Sequence, residues 1–325
     1  MDTKFTTPLL EVATDGEVIV WSSGANAGEH VAPDLFRLIP GASPTVVYRS
    51  ADRSASLGPI AVAGEQIAFV EANPESHPGA WTLWLLSRGA KPRVVDSSGR
   101  DSVPRGPYPT IALGKDRLVW AAFHKRQSGL RSELRQLVVA SNRVSVIDAT
   151  PLDVQEHWFP SVDGERLVYG TVERSFGAAL RHVYYTNLGK PGDRPLRLDA
   201  TGTASQPAIN GNQVVWKESP DNVFEWGTLV QYSLSDHVAE PIAWNAGTPV
   251  TTPSIGSGYI AANSQDDTQF YVHDLARHEM IAIETFPRTG REGDVRPMTR
   301  SGLLVWSHIP STQGQPLVLE WTRLP

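Results

Sequence analysis

One phrase recurs along the chain, in "GPIAVAGEQIAFVEANP" (58–74), "EHWFPSVDGERLVYGTVE" (156–173) and "TASQPAINGNQVVWKESP" (203–220). Each begins near a proline, alternates apolar and polar residues, turns on a glycine and ends in a second apolar run closed by an aromatic ring. Aligning the second runs gives "GEVIVW" ending at Trp21, "GEQIAF" at Phe69, "GKDRLVW" at Trp120, "GERLVY" at Tyr169, "GNQVVW" at Trp216, "SGYIAA" at Ala262 and "SGLLVW" at Trp306. These anchors stand 44 to 51 residues apart, the period of a four-stranded propeller blade. Six of the units carry a proline shortly before the anchor, at Pro59, Pro109, Pro160, Pro207, Pro253 and Pro297; the first has Val12 there.

Within each unit the pattern is β. Period-two alternation on either side of a glycine turn reads as a hairpin. A third run follows, as in "TLWLLS" (82–87) and "HVYYTNL" (182–188), and then a fourth, as in "PRVVD" (92–96), "VSVID" (144–148) and "PLRLD" (195–199). No stretch keeps a helical period over a dozen residues. The seventh unit reaches the C-terminus with its third run, "PLVLEWTRL" (316–324), while "TKFTT" (3–7) lies ahead of the first unit. The expected fold is therefore all-β, a seven-bladed β-propeller of four-stranded antiparallel blades, one domain over 1–325, in which residues 3–7 complete the last blade. Such a ring leaves only short, protected sheet edges. A β-sandwich is the competing architecture, and it does not predict so regular a period. The aromatic anchors are expected in the core, wedged between neighbouring sheets.

Composition narrows the function. The 325 residues carry a formal net charge of -6, with Lys and Arg scattered along the chain, so the basic stripe of a nucleic-acid binder is missing and DNA and RNA are not expected partners. No apolar run approaches the roughly 18 to 20 residues needed for a transmembrane helix. Cysteine is absent, which removes disulfides and thiolate chemistry without naming a compartment. The opening "MDTKFTTPLL" has no basic segment followed by an apolar one, so no export signal is expected in the sequence itself.

The recurring phrase resembles the propeller repeats of the TolB-like family: a proline, Ile or Val two residues on, a glycine, two aliphatics and a Trp, Tyr or Phe, followed by a run such as "QFYVHDL" (269–275). The resemblance covers essentially the whole chain. It implies a propeller related to TolB and to the propeller domains of prolyl oligopeptidases, in an extracytoplasmic bacterial setting such as the cell envelope. It also brings in polysaccharide lyases such as oligogalacturonate lyase. The usual Ser-Pro-Asp-Gly turn is replaced here by "SVDG", "AING" and "AVAG", and the expected blade number is seven where TolB has six.

Loops on a rigid scaffold are where binding residues concentrate. The segments leading into the innermost strands, among them 97–109, 150–160, 201–207 and 285–297, place Arg105, Tyr108, His157, Trp158, Asp294 and Arg296 just before the repeat prolines, with Gln206 beside them. These seven are the candidate ligand-binding residues, for an anionic ligand paired to Arg105 and Arg296 with Trp158 or Tyr108 stacked on a sugar ring. The bland alternative is that they satisfy loop carbonyls and neighbouring blades. The leading functional expectation is a noncatalytic binding or scaffolding propeller that holds a protein or glycan. The alternative is a polysaccharide lyase on uronic-acid glycans with His157, Tyr108 and Arg296 as its catalytic groups. An accessory domain of a larger enzyme is a third reading. No cofactor is expected; the histidines show no close pair, and a divalent metal would have to be assembled from residues distant in sequence. The serine-hydrolase elbow and the phosphate-binding glycine loop are both missing from the sequence.

Overall fold

A computed structural model describes residues 3–4, 9–23, 32–72, 80–98, 108–175, 178–190, 192–219, 227–242, 253–263, 269–285, 298–308 and 318–324. Among them there is no helix, and the strands form seven antiparallel sheets of four. The chain divides into two compact units, one of residues 7–160 and the other of 1–6 with 161–325. A two-residue strand, β1 (Thr3–Lys4), belongs to the second unit.

The first unit holds three whole sheets. The first is β2 (Leu9–Thr14), β3 (Ile19–Ser23), β4 (Asp34–Leu38) and β5 (Thr45–Arg49). Next come β6 (Ser56–Ala63), β7 (Gln66–Ala72), β8 (Trp81–Ser87) and β9 (Arg93–Ser97). The third is β10 (Thr110–Leu113), β11 (Arg117–Arg126), β12 (Gly129–Val138) and β13 (Arg143–Pro151). The boundary between units falls inside β14 (Gln155–Asp163), which forms a sheet with β15 (Arg166–Ser175), β16 (Ala178–Asn187) and β17 (Leu196–Arg197). Two more sheets follow: β18 (Ala204–Asn210), β19 (Gln213–Glu218), β20 (Thr228–Ser233) and β21 (Val238–Pro241), then β22 (Ser254–Gly256), β23 (Tyr259–Asn263), β24 (Gln269–Asp274) and β25 (Glu279–Thr285). The last sheet is β26 (Met298–Arg300), β27 (Leu303–His308) and β28 (Val318–Arg323), with β1 as its fourth strand through the pairs Thr3 with Leu319 and Lys4 with Val318.

Sheets pack face to face through the repeat anchors, as expected of the largest apolar groups in each unit. In the first unit Val70, Leu83 and Leu85 of the second sheet meet Leu118, Trp120 and Ala122 of the third. In the second unit Val168 and Val183 meet Ile209, Val214 and Trp216, and Phe270 and Val272 meet Leu304 and Trp306. Trp21, Phe69, Trp120, Tyr169 and Trp216 are all at most 1% exposed, which is the core role the repeat implied.

Two local devices set the repeat. The proline of the inner strand sits in a bulge: pairing slips between Leu57 and Ile60 around Pro59, and between Ser205 and Ala208 around Pro207. Proline donates no ladder bond, so a bulge is where a strand can hold it. The outer strand is also bulged, leaving Val47, Val95, Ile147 and Ile283 unpaired in four of the sheets. The bulge re-aims the residue that follows, and in two sheets that residue is an aspartate, Asp96 or Asp148.

Two polar segments, 123–133 and 150–160, are largely strand. Residues 123–133 continue β11 and β12 to a two-residue turn, with Arg126 opposite Gly129. The turn is possible because Gly129 takes φ +111, and the pairing is locked by two bonds from Arg126 to the Glu133 carboxylate, each 2.7 Å. Likewise 150–160 is no long loop: β13 runs to Pro151 and β14 starts at Gln155.

Candidate binding site at the start of β14

Of the seven candidate residues, Arg105, Asp294 and Arg296 lie outside the described residues. Tyr108, His157 and Trp158 belong to the first unit and Gln206 to the second. Tyr108 is half-buried against the apolar cluster of the second and third sheets, so its ring has a packing role.

His157 is held from three sides. Its backbone N–H donates to Ser132 Oγ at 2.8 Å, its Nδ1 lies 3.1 Å from the same oxygen, and its Nε2 lies 3.1 Å from Asp148 Oδ2. The imidazole is fully buried. Ser132 comes from β12 and Asp148 from the position after the β13 bulge, so the group joins three strands. The bond from His157 draws the Asp148 carboxyl below its ordinary range, against the opposing effect of burial. Serine, histidine and aspartate in line have the composition of a hydrolytic triad. Here the hydroxyl is fully buried and already accepts an amide, so it meets no substrate.

The next residues are fixed one by one. Trp158 is half-buried, and its Nε1–H donates to Glu156 Oε2 at 3.0 Å. Its ring meets Phe123 edge-on at 5.7 Å and lies 5.9 Å from Phe159. Phe159 adopts φ +48, and its N–H donates to Thr110 Oγ1 at 3.0 Å. Gln206, which precedes Pro207 as Phe159 precedes Pro160, has φ +53 and a buried Oε1 with no hydrogen-bond partner among the described residues. Non-glycine residues in this region are strained and persist where their surroundings over-determine them.

Two further carboxylates stand out in the first unit. Asp96 Oδ2 accepts from Trp120 Nε1 and Arg135 Nη1, both at 2.7 Å, and lies 3.4 Å from His124 Nε2. Burial pushes the Asp96 carboxyl up, but His124 beside it and the charge of Arg135 outweigh it and leave it at about 2. Glu71 accepts from Tyr48 and from Trp84 Nε1, both at 2.9 Å. In the second unit Asp199 lies 3.0 Å from His182 Nδ1 and accepts the amides of Val183 and Gly202. Sequence reasoning passed over Ser132, Glu156 and these carboxylates. The recurring aspartate that closes the fourth run, at Asp96, Asp148 and Asp199, was the available signal. Among the described residues no group of three or more His, Cys, Asp or Glu has the arrangement of a metal site, and no helix is long and apolar enough to cross a membrane.

No protein-family model matches the chain, and no curated protein matches it. Solved structures do. The β-propeller domain of the Trilobed protease from Pyrococcus furiosus, described as having an open velcro topology, superposes with a TM-score of 0.69 at 12% identity, over 99% of this chain and 98% of that one. Pyrococcus horikoshii acylaminoacyl peptidase gives 0.68 at 14% over 98% of this chain. A Mycobacterium tuberculosis puromycin-hydrolyzing peptidase gives 0.60 at 14%, also over 98%. The chain spans about half the length of these last two, 52% and 54%. The similar structures are thus propellers of peptidase type, and the likeness to TolB rests on the sequence phrase alone. At such identities the likeness shows the fold, a β-propeller of four-stranded antiparallel blades.

Proposed function

We propose that the protein is a noncatalytic binding propeller that holds a protein or glycan partner beside Trp158, and that its seven sheets are the blades of one ring closed by β1. The carrying observation is the contrast between two neighbours: His157 is fully buried with both ring nitrogens engaged, while Trp158 next to it is half-buried and fixed by Glu156. An aromatic surface so held loses little freedom on contact, which favours binding. A uronate lyase would need a base other than His157, because a base must reach the proton it removes.

The test is a thermal-shift screen of the purified protein against glycans, uronates and peptides. A binder at a hundredfold excess over its Kd stabilises the fold by about 2.7 kcal/mol, and the shift should vanish in Trp158→Ala. Unsaturated product from a uronate polymer would overturn the noncatalytic reading.

The peptidase-type neighbours favour a second reading, in which this propeller accompanies a catalytic domain. They are about twice its length, and the chain aligns with one half of each. Saturable association with a separately expressed hydrolase domain would support it.

A further inference from the structure

We infer that Ser132, His157 and Asp148 form a proton-ordered brace that keeps His157 as its neutral Nε2–H tautomer and positions the Trp158 ring; its functional meaning rests on the reading of Trp158 as a binding surface. The order follows from counting protons. Ser132 Oγ carries one proton and accepts the His157 amide at 2.8 Å. The residue is fully buried, and among the described residues the one acceptor for its hydroxyl proton is His157 Nδ1, 3.1 Å away. Nδ1 therefore accepts. The ring proton is then on Nε2, which donates to Asp148 Oδ2. Asp148 in turn is set by the amide of Ala149, which donates to its Oδ1 at 2.8 Å. Tautomers are fixed in this way by the partner of each nitrogen.

The brace acts on Trp158 through the backbone. His157 is pinned at its amide and at both ring nitrogens, and Phe159 is pinned at its amide by Thr110. Trp158 lies between two fixed peptide units, so its ring can swing only about its own side-chain bonds, and the bond to Glu156 removes that freedom. The left-handed Phe159 sits where such over-determination is needed. Asp148 on β13 is the charged member of the brace; Arg131 and Glu133 flank Ser132 in sequence on β12, and Glu156 precedes His157 on β14. Arg131 donates to the carbonyl of Ala149, next to Asp148.

The experiment has two independent parts. Nitrogen-15 NMR of the wild-type imidazoles, with His157 assigned through His157→Gln, should give a protonated Nε2 and an unprotonated Nδ1 for His157 at neutral pH; a protonated Nδ1 overturns the wiring. Fluorine-19 NMR of protein labelled with 5-fluorotryptophan, with Trp158 assigned through Trp158→Phe, reads the positioning. Ser132→Ala should shift and broaden the Trp158 resonance more than that of any other tryptophan, and His157→Gln, which can still donate to Asp148, should disturb it less than His157→Ala. Leu137→Ala, a core truncation away from the brace, should leave it in place. An unmoved Trp158 resonance in both Ser132→Ala and His157→Ala overturns the positioning role. If the alanine variants do not fold, His157→Gln reads the positioning, and a Trp158 resonance unmoved there overturns it. Neither part uses a ligand, so failure of the brace is distinguishable from failure of Trp158→Ala to abolish partner binding.

Discussion

Asp163 Oδ2 accepts the backbone N–H of Gly211 at 2.6 Å, tying the first hairpin turn of one repeat to that of the next. Asp15 makes the same link to Gly64, and its other oxygen also accepts the amides of Glu17 and Val18. A hydrogen bond to a charged group contributes about 1.5–3 kcal/mol. Asp163→Ala should therefore lower stability toward urea by about 1–2 kcal/mol, and Asp15→Ala, with three donors left unmatched, by more. Equal losses would mean that the turn bonds of Asp15 are replaced by water at no cost.

Asp96 contributes to the acid limb of stability. Its folded carboxyl is held at about 2 against an ordinary value of 3.8. A depressed carboxylate contributes stability that is present above its unfolded pKa and lost as pH falls through the folded one. The window is pH 4 to 2, and the contribution is about 2 kcal/mol. In Asp96→Asn the fall in stability across that window should be shallower than in the wild type. Stability at pH 7 should drop by about 1.5–3 kcal/mol, because Trp120 and Arg135 lose a charged acceptor while Arg135 keeps its pair with Glu133. Urea unfolding at pH 7, 4 and 3 measures both.

The tryptophans divide into two kinds. Trp120 and Trp216 are at most 1% exposed, and truncation to Ala should cost about 3–5 kcal/mol. Trp158 is half-buried, so Trp158→Ala should cost about 1–2 kcal/mol while removing the binding surface. A loss at Trp158 equal to that at Trp216 would assign it to the core and undo its proposed role.

Period, anchors and the placement of residues 3–4 beside the C-terminal strand were legible because they depend on local alternation and on a strict spacing. The prolines were visible as markers, but their reason, a bulge that interrupts pairing around Pro59 and Pro207, was not. The reach of β11 and β12 was hidden because "FHKRQSGLRSE" is polar on both faces, and the Arg126 and Glu133 pair that stabilises it spans the turn. The brace was hidden for another reason. Ser132, Asp148 and His157 are ordinary residues in sequence, and only a bulged strand turns Asp148 toward the ring. Position before the proline drew attention to His157 and Trp158, yet it could not say that one would be sealed and its neighbour left partly open.

Gln206 stands where glycine is the less strained choice. A left-handed backbone costs a residue with a Cβ about 1–2 kcal/mol, and the buried Gln206 Oε1 lacks a hydrogen-bond partner among the described residues, a further cost of about 1–3 kcal/mol. Gln206→Gly relieves both, at the expense of roughly 0.5–1 kcal/mol from the freer unfolded chain. The variant should be more stable by about 1 kcal/mol, and Gln206→Val, branched at Cβ, less stable than the wild type by a similar amount; thermal midpoints of the three proteins rank them. A glycine variant less stable than the wild type would mean instead that the Gln206 side chain contributes packing worth more than its strain.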